Sequence, residues 1–186
     1  GEEVYSLAIL LKEANLYERA CIFETDTDAD ALAKAQQGIY SLKQFDEYIS
    51  NYAQFGGQRS LSDYCVSKYD WVKMDNNLID NVTFSRHNLA TEGVFGEMHM
   101  VLCRNVLIYF NKTLKEKVVT LFYQCLRRGG FLSLGLSESL NFLWLESEFE
   151  VFRREEHIYR KKNIARVLRH QASGNVDILV IGASAG

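Results

Sequence analysis

The chain has 186 residues, 47% of them hydrophobic and 12% aromatic, with a formal net charge of -3. That is enough apolar material for one domain core, and it excludes a disordered or low-complexity protein. The slight negative balance argues against nucleic acid or an acidic membrane surface as a partner. No apolar run approaches the ~20 residues of a membrane span, and no secretory signal is present. Gly1 stands where an initiating Met would, which reads as a chain that begins inside a larger protein or has been trimmed. Cys21, Cys65, Cys103 and Cys125 are scattered without metal-ligand spacing and read as reduced cysteines of a cytoplasmic protein.

Val4, Leu7, Ala8 and Leu11 recur with helical period and predict an amphipathic helix from about Glu3 to Asn15. Ala20–Glu24 is an apolar run ending in Thr25 and Asp26, as expected of a buried parallel strand. Asp28 can cap a second helix that stops at Gly38, so strand, acidic turn and helix make one crossover unit. Phe45, Tyr48, Ile49 and Tyr52 mark a third helix, ended by Gly56 and Gly57. From Leu61 to Phe84, strand-prone residues mix with charges around an Asn76-Asn77 turn, which predicts a small antiparallel β insertion closed by Val82–Ser85. Met98–Cys103 is the next buried strand. The helix after it carries Leu114, Val118, Leu121, Phe122 and Cys125 and is expected to stop at Gly129-Gly130. Phe131–Leu134 is another strand, and Glu148–Phe152 with His157–Arg160 makes a terminal hairpin. Alternating strands and helices predict an α/β fold with a mainly parallel, Rossmann-like sheet.

Several polar residues fall where such a sheet binds its ligands, beyond the carboxyl ends of its strands. Glu3 opens the first helix, where acids favour the positive end of the helix dipole. Asp26 ends the second strand and suits either a turn or the recognition of ribose hydroxyls. Asn88 and Leu89 begin a loop after a strand, where an Asn is commonly structural; His87 beside them reads as a solvated loop residue. Arg104 and Asn105 interrupt Val101–Phe110 just after a buried strand. Buried without partners, such groups cost roughly 1–3 kcal/mol each, so a ligand or a loop must satisfy them.

The segment Leu102–Asn111 resembles the signature of the CheR-type chemotaxis receptor methyltransferases, and the likeness extends over about Gly1 to Lys162. Gly1-Glu-Glu-Val-Tyr-Ser6 is similar to the family's Gly-Glu-Glu-Pro-Tyr-Ser segment, with Val4 in place of a proline that only presets the first helical turn. Glu24-Thr-Asp-Thr-Asp28 resembles its acidic turn, and Gly135-Leu-Ser-Glu138 its late Gly-x-Ser-Glu motif, whose role looks structural. The resemblance implies a class I S-adenosylmethionine-dependent methyltransferase fold. It gives Glu3 to the cationic amino acid end of S-adenosyl-L-methionine, Asp26 to the ribose, and Asn88 and Leu89 to the adenine. Arg104 and Asn105 would belong to the cofactor site, and Tyr109, with Arg104, to the reacting groups. The implied reaction methylates glutamate side chains on the cytoplasmic domains of chemoreceptors by in-line displacement and leaves S-adenosyl-L-homocysteine. A glutamate carboxylate is ionised near neutral pH, so no strong general base is required. The alternatives are a non-catalytic S-adenosylmethionine-binding or scaffold module, and a small-molecule methyltransferase.

Arg153, Arg154, Arg160, Lys161, Lys162, Arg166 and Arg169 make the following tail basic, which reads as a solubilising linker over about 163–175. Val176–Gly186 is an apolar run entering a small-residue turn. It resembles the opening of CheB-type methylesterase domains, with Ser184 matching the nucleophile, and so implies a methyltransferase–methylesterase fusion as the parent. A strand cut from such a second domain is expected to pair with an exposed edge or stay mobile, and to be dispensable for cofactor binding.

Overall fold

The computed structural model describes residues 1–54, 56–93, 96–141, 143–163 and 175–182. Helix α1, Glu2–Glu13, places two acids in its first turn and buries Val4, Tyr5, Ala8 and Ile9. Strand β1, Ala20–Asp26, leads through a turn to helix α2, Ala29–Gln37. The Asp28 carboxylate caps α2 by accepting from the Asp30 amide, and the helix stops at Gly38 in the left-handed region (φ 63°). Glycine is required at 38 on a second count, since a Cβ there would lie 2.4 Å from the Tyr5 hydroxyl. Strand β2, Ile39–Ser41, helix α3, Leu42–Gln54, and strands β3, Cys65–Lys68, and β4, Trp71–Met74, follow. Next come β5, Val82–Arg86, β6, Met98–Cys103, helix α4, Lys112–Cys125, and β7, Leu126–Leu134. Strands β8, Phe149–Arg153, β9, Ile158–Lys161, and β10, Val176–Ile181, complete the order.

Seven strands form the main sheet in the order β5-β1-β10-β6-β7-β9-β8. The first five run parallel, and β9 pairs antiparallel with both β7 and β8. A separate antiparallel sheet has the order β2-β4-β3. This is the mainly parallel α/β architecture with a small antiparallel sheet that the sequence predicts. Two apolar clusters flank the main sheet. One gathers α4 residues Val118 and Phe122 with Val101, Leu132 and Leu179. The other gathers α1 residues Val4 and Ala8, and Phe45 of α3, with Ile22, Ile178 and Val180.

The structure corrects the sequence reading in four places. The antiparallel sheet takes its third strand from Ile39–Ser41, ahead of the expected insertion. Val82–Arg86, expected to close that insertion, is instead an edge strand of the main sheet, in parallel register with Ile22–Asp26. Its Val82 packs against the cluster beneath α1, which favours this pairing. Helix α4 ends at Cys125, not at the glycine pair, because Leu126 already adopts an extended backbone. Gly129 and Gly130 fall inside β7, where the register on β6 shifts.

The fourth correction concerns the tail. Val176–Ile181 is neither at an edge nor unpaired. It lies between β1 and β6, pairing Ala20–Thr25 on one side and Met100–Cys103 on the other. The physical reason is its two-faced apolarity: Leu179 and Ile181 join one core cluster while Ile178 and Val180 join the other. The pairing argues against the expected dispensability of this strand. The basic segment before it is also partly structural, since Lys161 donates its ammonium to the Tyr123 and Leu126 carbonyls at the end of α4 (2.6 and 2.7 Å). Arg166, Arg169 and Ser184 lie outside the described residues.

Candidate cofactor site

Strands β1, β10, β6 and β7 all point their carboxyl ends the same way, and Asp26, Arg104 and Asn105 follow the ends of β1 and β6 there. Asp26 ends β1 and is 6% exposed. Its Oδ1 accepts from the Asp28 amide at 2.9 Å, and its carbonyl accepts from the His87 amide at 2.9 Å. Its Oδ2 lies against Gly182, where a Cβ would approach it to 2.6 Å. The residue thus fills the turn role and also presents a carboxylate at the mouth of the sheet.

Glu3, in the first turn of α1, meets Arg104 at the end of β6, with Oε1 to Nη1 at 3.3 Å. Burial raises the Glu3 carboxyl above its ordinary value, and the Arg104 guanidinium opposes the shift. The Arg104 side chain is 41% exposed and Asn105 is exposed, so neither lies in a dry sheet and no burial penalty attaches to their side chains. The burial demand read from sequence falls instead on the backbone, and Glu138 meets it. Its buried carboxylate accepts from the amides of Gly135 (2.7 Å), Asn105 (3.0 Å) and Ile108 (3.3 Å), which ties the loops after β6 and β7 together. Asn105 takes a left-handed backbone (φ 60°), a conformation Asn tolerates better than most residues.

The remaining predicted residues are more dispersed. Asn88 turns its Oδ1 onto the Ala90 amide at 2.9 Å, a local turn contact, while Leu89 is buried in the cluster under α4. His87, read as solvated, is buried, with Nε2 near the Gly93 carbonyl (3.3 Å) and the Glu92 carboxylate (3.6 Å). Tyr109 stands on the short turn Leu107–Tyr109 and is 66% exposed. The structure therefore pairs Glu3 with Arg104 and sets Asp26 at the end of β1, and the charges of Glu3 and Asp26 both reach Glu24. It leaves Asn88 on its own turn, Leu89 in the core and Tyr109 at the surface.

Sequence reasoning missed Glu24. It is 2% exposed, and among the described residues its Oε2 has no hydrogen-bond partner. A charged residue directly after the apolar run Ala20–Phe23, within a strand read as buried, is the signal that could have found it. Burial pushes its carboxyl up to about 7, and the negative charges of Glu3 and Asp26 add to the rise. Three carboxylates and one guanidinium thus share the carboxyl edge of β1, β6 and the start of α1. Such a site favours a ligand carrying positive charge and hydroxyl donors.

The raised Glu24 carboxyl sets a pH dependence. Between about pH 4.5 and about pH 7 the folded state holds a proton that the unfolded state has lost, so stability falls as pH rises through this window. The full cost, roughly 3 kcal/mol, is present above it and absent below it. Glu24→Gln should flatten this fall in urea unfolding of the ligand-free protein. Parallel pH profiles for the two proteins would contradict the assignment.

Comparison with known proteins converges on one family. The model for "CheR methyltransferase, SAM binding domain" matches residues 1–158. The "Putative methyltransferase Cher3" of Pseudomonas putida is 47% identical over 161 residues, covering 87% of this chain and 59% of its own length. The chemotaxis protein methyltransferase of Salmonella typhimurium is 34% identical over 155 residues, covering 81% of this chain and 52% of its own length. The Escherichia coli chemotaxis protein methyltransferase is 32% identical, and the shares covered are 80% and 51%. The chain spans about half to three-fifths of the length of these relatives. With its strand order, its acid-rich edge and this match over most of its length, the chain belongs to the CheR methyltransferase family, as a SAM-binding domain.

Proposed function

We propose that this domain binds S-adenosyl-L-methionine and transfers its methyl group to glutamate carboxylates of chemoreceptor cytoplasmic domains. The observation that carries the reading is the acid cluster Glu3, Glu24 and Asp26 at the carboxyl edge of the sheet, with Glu24 buried and one oxygen lacking a partner among the described residues. The cofactor fits that donor set. It carries a positive ammonium and sulfonium, and ribose hydroxyls that need acceptors. Asp26 would accept from the ribose, and Glu3, with Arg104 beside it, would hold the amino acid end. Asn88 and Leu89 would flank the base, and Asn105 would line the site.

When bound, S-adenosyl-L-methionine supplies a methyl carbon made electrophilic by positive sulfur, and the product is S-adenosyl-L-homocysteine. The protein's own part is positioning. The Glu138 carboxylate fixes the loop that carries Arg104, Asn105 and Tyr109, so these side chains project from a tied backbone. Tyr109, exposed beside that loop, would orient an incoming carboxylate, with Arg104 to steer its charge. The glutamate substrate arrives ionised, and no residue has to remove a proton from it.

The relatives named as chemotaxis methyltransferases support chemoreceptors as the substrate class. No described helix is long and apolar enough to cross a membrane. The scattered cysteines, all free where described, support a cytoplasmic location. The likeness of Val176–Gly186 to a CheB-type opening supports a methylesterase domain fused in the parent protein, after a linker over about 163–175. That proposal concerns the parent; here Val176–Ile181 pairs between β1 and β6.

Two substitutions test the reading. Asp26→Ala in the full chain should weaken S-adenosylhomocysteine binding by about 1.5–3 kcal/mol in calorimetric titration, the loss of hydrogen bonds to a charged acceptor. Unchanged affinity in a folded variant would remove the ribose role. Tyr109→Phe should keep that affinity and slow transfer of labelled methyl groups to a receptor fragment, because orientation of reacting groups is expressed in the transition state. Equal transfer rates would leave Tyr109 a surface residue without a part in the reaction.

A further inference from the structure

Large apolar side chains scattered singly over a protein surface are ordinary. Ile108 (43% exposed), Tyr109 and Leu136 (67% exposed) differ, because they stand on two loops that are locked together beside the candidate cofactor site. The loop after β6 buries Leu107 and turns Ile108 and Tyr109 outward; the loop after β7 buries Gly135 and turns Leu136 outward. One carboxylate joins the two. Glu138 accepts from the Ile108 amide through Oε1 at 3.3 Å and from the Gly135 amide through Oε2 at 2.7 Å. The loops also approach closely, since a Cβ at Gly135 would lie 2.8 Å from the Asn105 amide nitrogen.

A rim held this firmly presents its apolar groups without further ordering, so a partner that covers them gains burial at small entropic cost. The neighbouring charges point to that partner's character. Arg104 precedes the apolar pair Ile108-Tyr109 and Lys112 follows it, and both cations reach solvent. Their counter-charges are Glu3 at 3.3 Å and Glu116 at 4.0 Å. Partly exposed pairs of this kind are weak, so acids of an incoming segment can compete for the cations. An apolar patch between two such cations fits a segment in which carboxylates flank an aliphatic side chain.

We propose that Ile108 and Leu136 form the docking rim for the segment that carries the accepting glutamate, and that this segment bears an aliphatic side chain beside that glutamate and further acids around it. This rests on the reading that the domain methylates receptor glutamates. Tyr109 and Arg104 take the reacting carboxylate, while Ile108 and Leu136 take its apolar neighbour and leave the cofactor untouched. Selection of the acceptor is then expressed in acceptor binding, on the same tied loops that carry the reacting groups.

The test follows transfer of labelled methyl groups from S-adenosyl-L-methionine by the full chain to an acidic receptor fragment, over a range of fragment concentrations. The variant combines Ile108→Ser with Leu136→Ser; both side chains are exposed, and the backbone bonds to Glu138 persist. It should raise the KM for the fragment about tenfold, with kcat and S-adenosylhomocysteine affinity within about twofold of wild type. A fragment whose aliphatic residue beside the glutamate is replaced by Ser should show a similar rise with the wild-type chain, and less than about a twofold further rise with the variant. An unchanged KM in the variant overturns the proposal, and so do fully additive losses in that cycle. Weakened S-adenosylhomocysteine binding at unchanged KM also overturns it, by assigning the two residues to packing. If the wild-type chain binds S-adenosylhomocysteine but methylates no fragment, the functional reading itself fails and this inference falls with it.

Discussion

Two rows of backbone amides and carbonyls, along β1 and along β6, depend on one short strand between them. Val176–Ile181 pairs with both rows in parallel register. Unpaired buried backbone groups are costly, and an open gap in a central sheet would expose many at once. The same strand places Ile178 and Val180 in one core cluster and Leu179 and Ile181 in the other. The two cores, the sheet and the crevice at its edge are therefore joined through six residues that sit far along the chain from their partners.

The site inherits its geometry from that arrangement. The end of β1 presents Asp26, and Arg104 follows the end of β6. A second tie holds the other half of the edge. Glu138 gathers the amides of Gly135, Asn105 and Ile108, so the loop after β6 is fixed by the loop after β7. The electrostatic character follows from burial. Glu24 is held in a dry position near Glu3 and Asp26, which leaves its carboxyl reluctant to ionise without a positive neighbour. In a family whose model is described as SAM-binding, this ligand-free cost is what a cationic cofactor would offset.

Much of this was legible in the residues. The period of Val4, Leu7, Ala8 and Leu11, the cap at Asp28 and the stop at Gly38 located α1 and α2, because local hydrogen bonding and helical spacing decide them. The apolar run ending at Arg104 located β6 and the edge where the site lies. What stayed hidden depended on contacts distant in sequence. Nothing local distinguishes Val82–Arg86 as a strand of the main sheet from the end of an insertion; its pairing with β1 decides that. Nothing local shows that Leu89 faces the core or that His87 is buried. The run Val176–Ile181 was recognisable as a strand, but its place was set by a vacancy formed between β1 and β6, which no window of sequence displays.

Amide hydrogen exchange of the full chain, followed residue by residue by nuclear magnetic resonance, tests the central pairing most directly. The amides of Ile178, Leu179 and Val180 should exchange only through global unfolding, as slowly as those of Ile22 in β1 and Val101 in β6. Exchange of 178–180 at rates of an open chain, while β1 and β6 remain protected, would show that the sheet stands without this strand and would contradict the account.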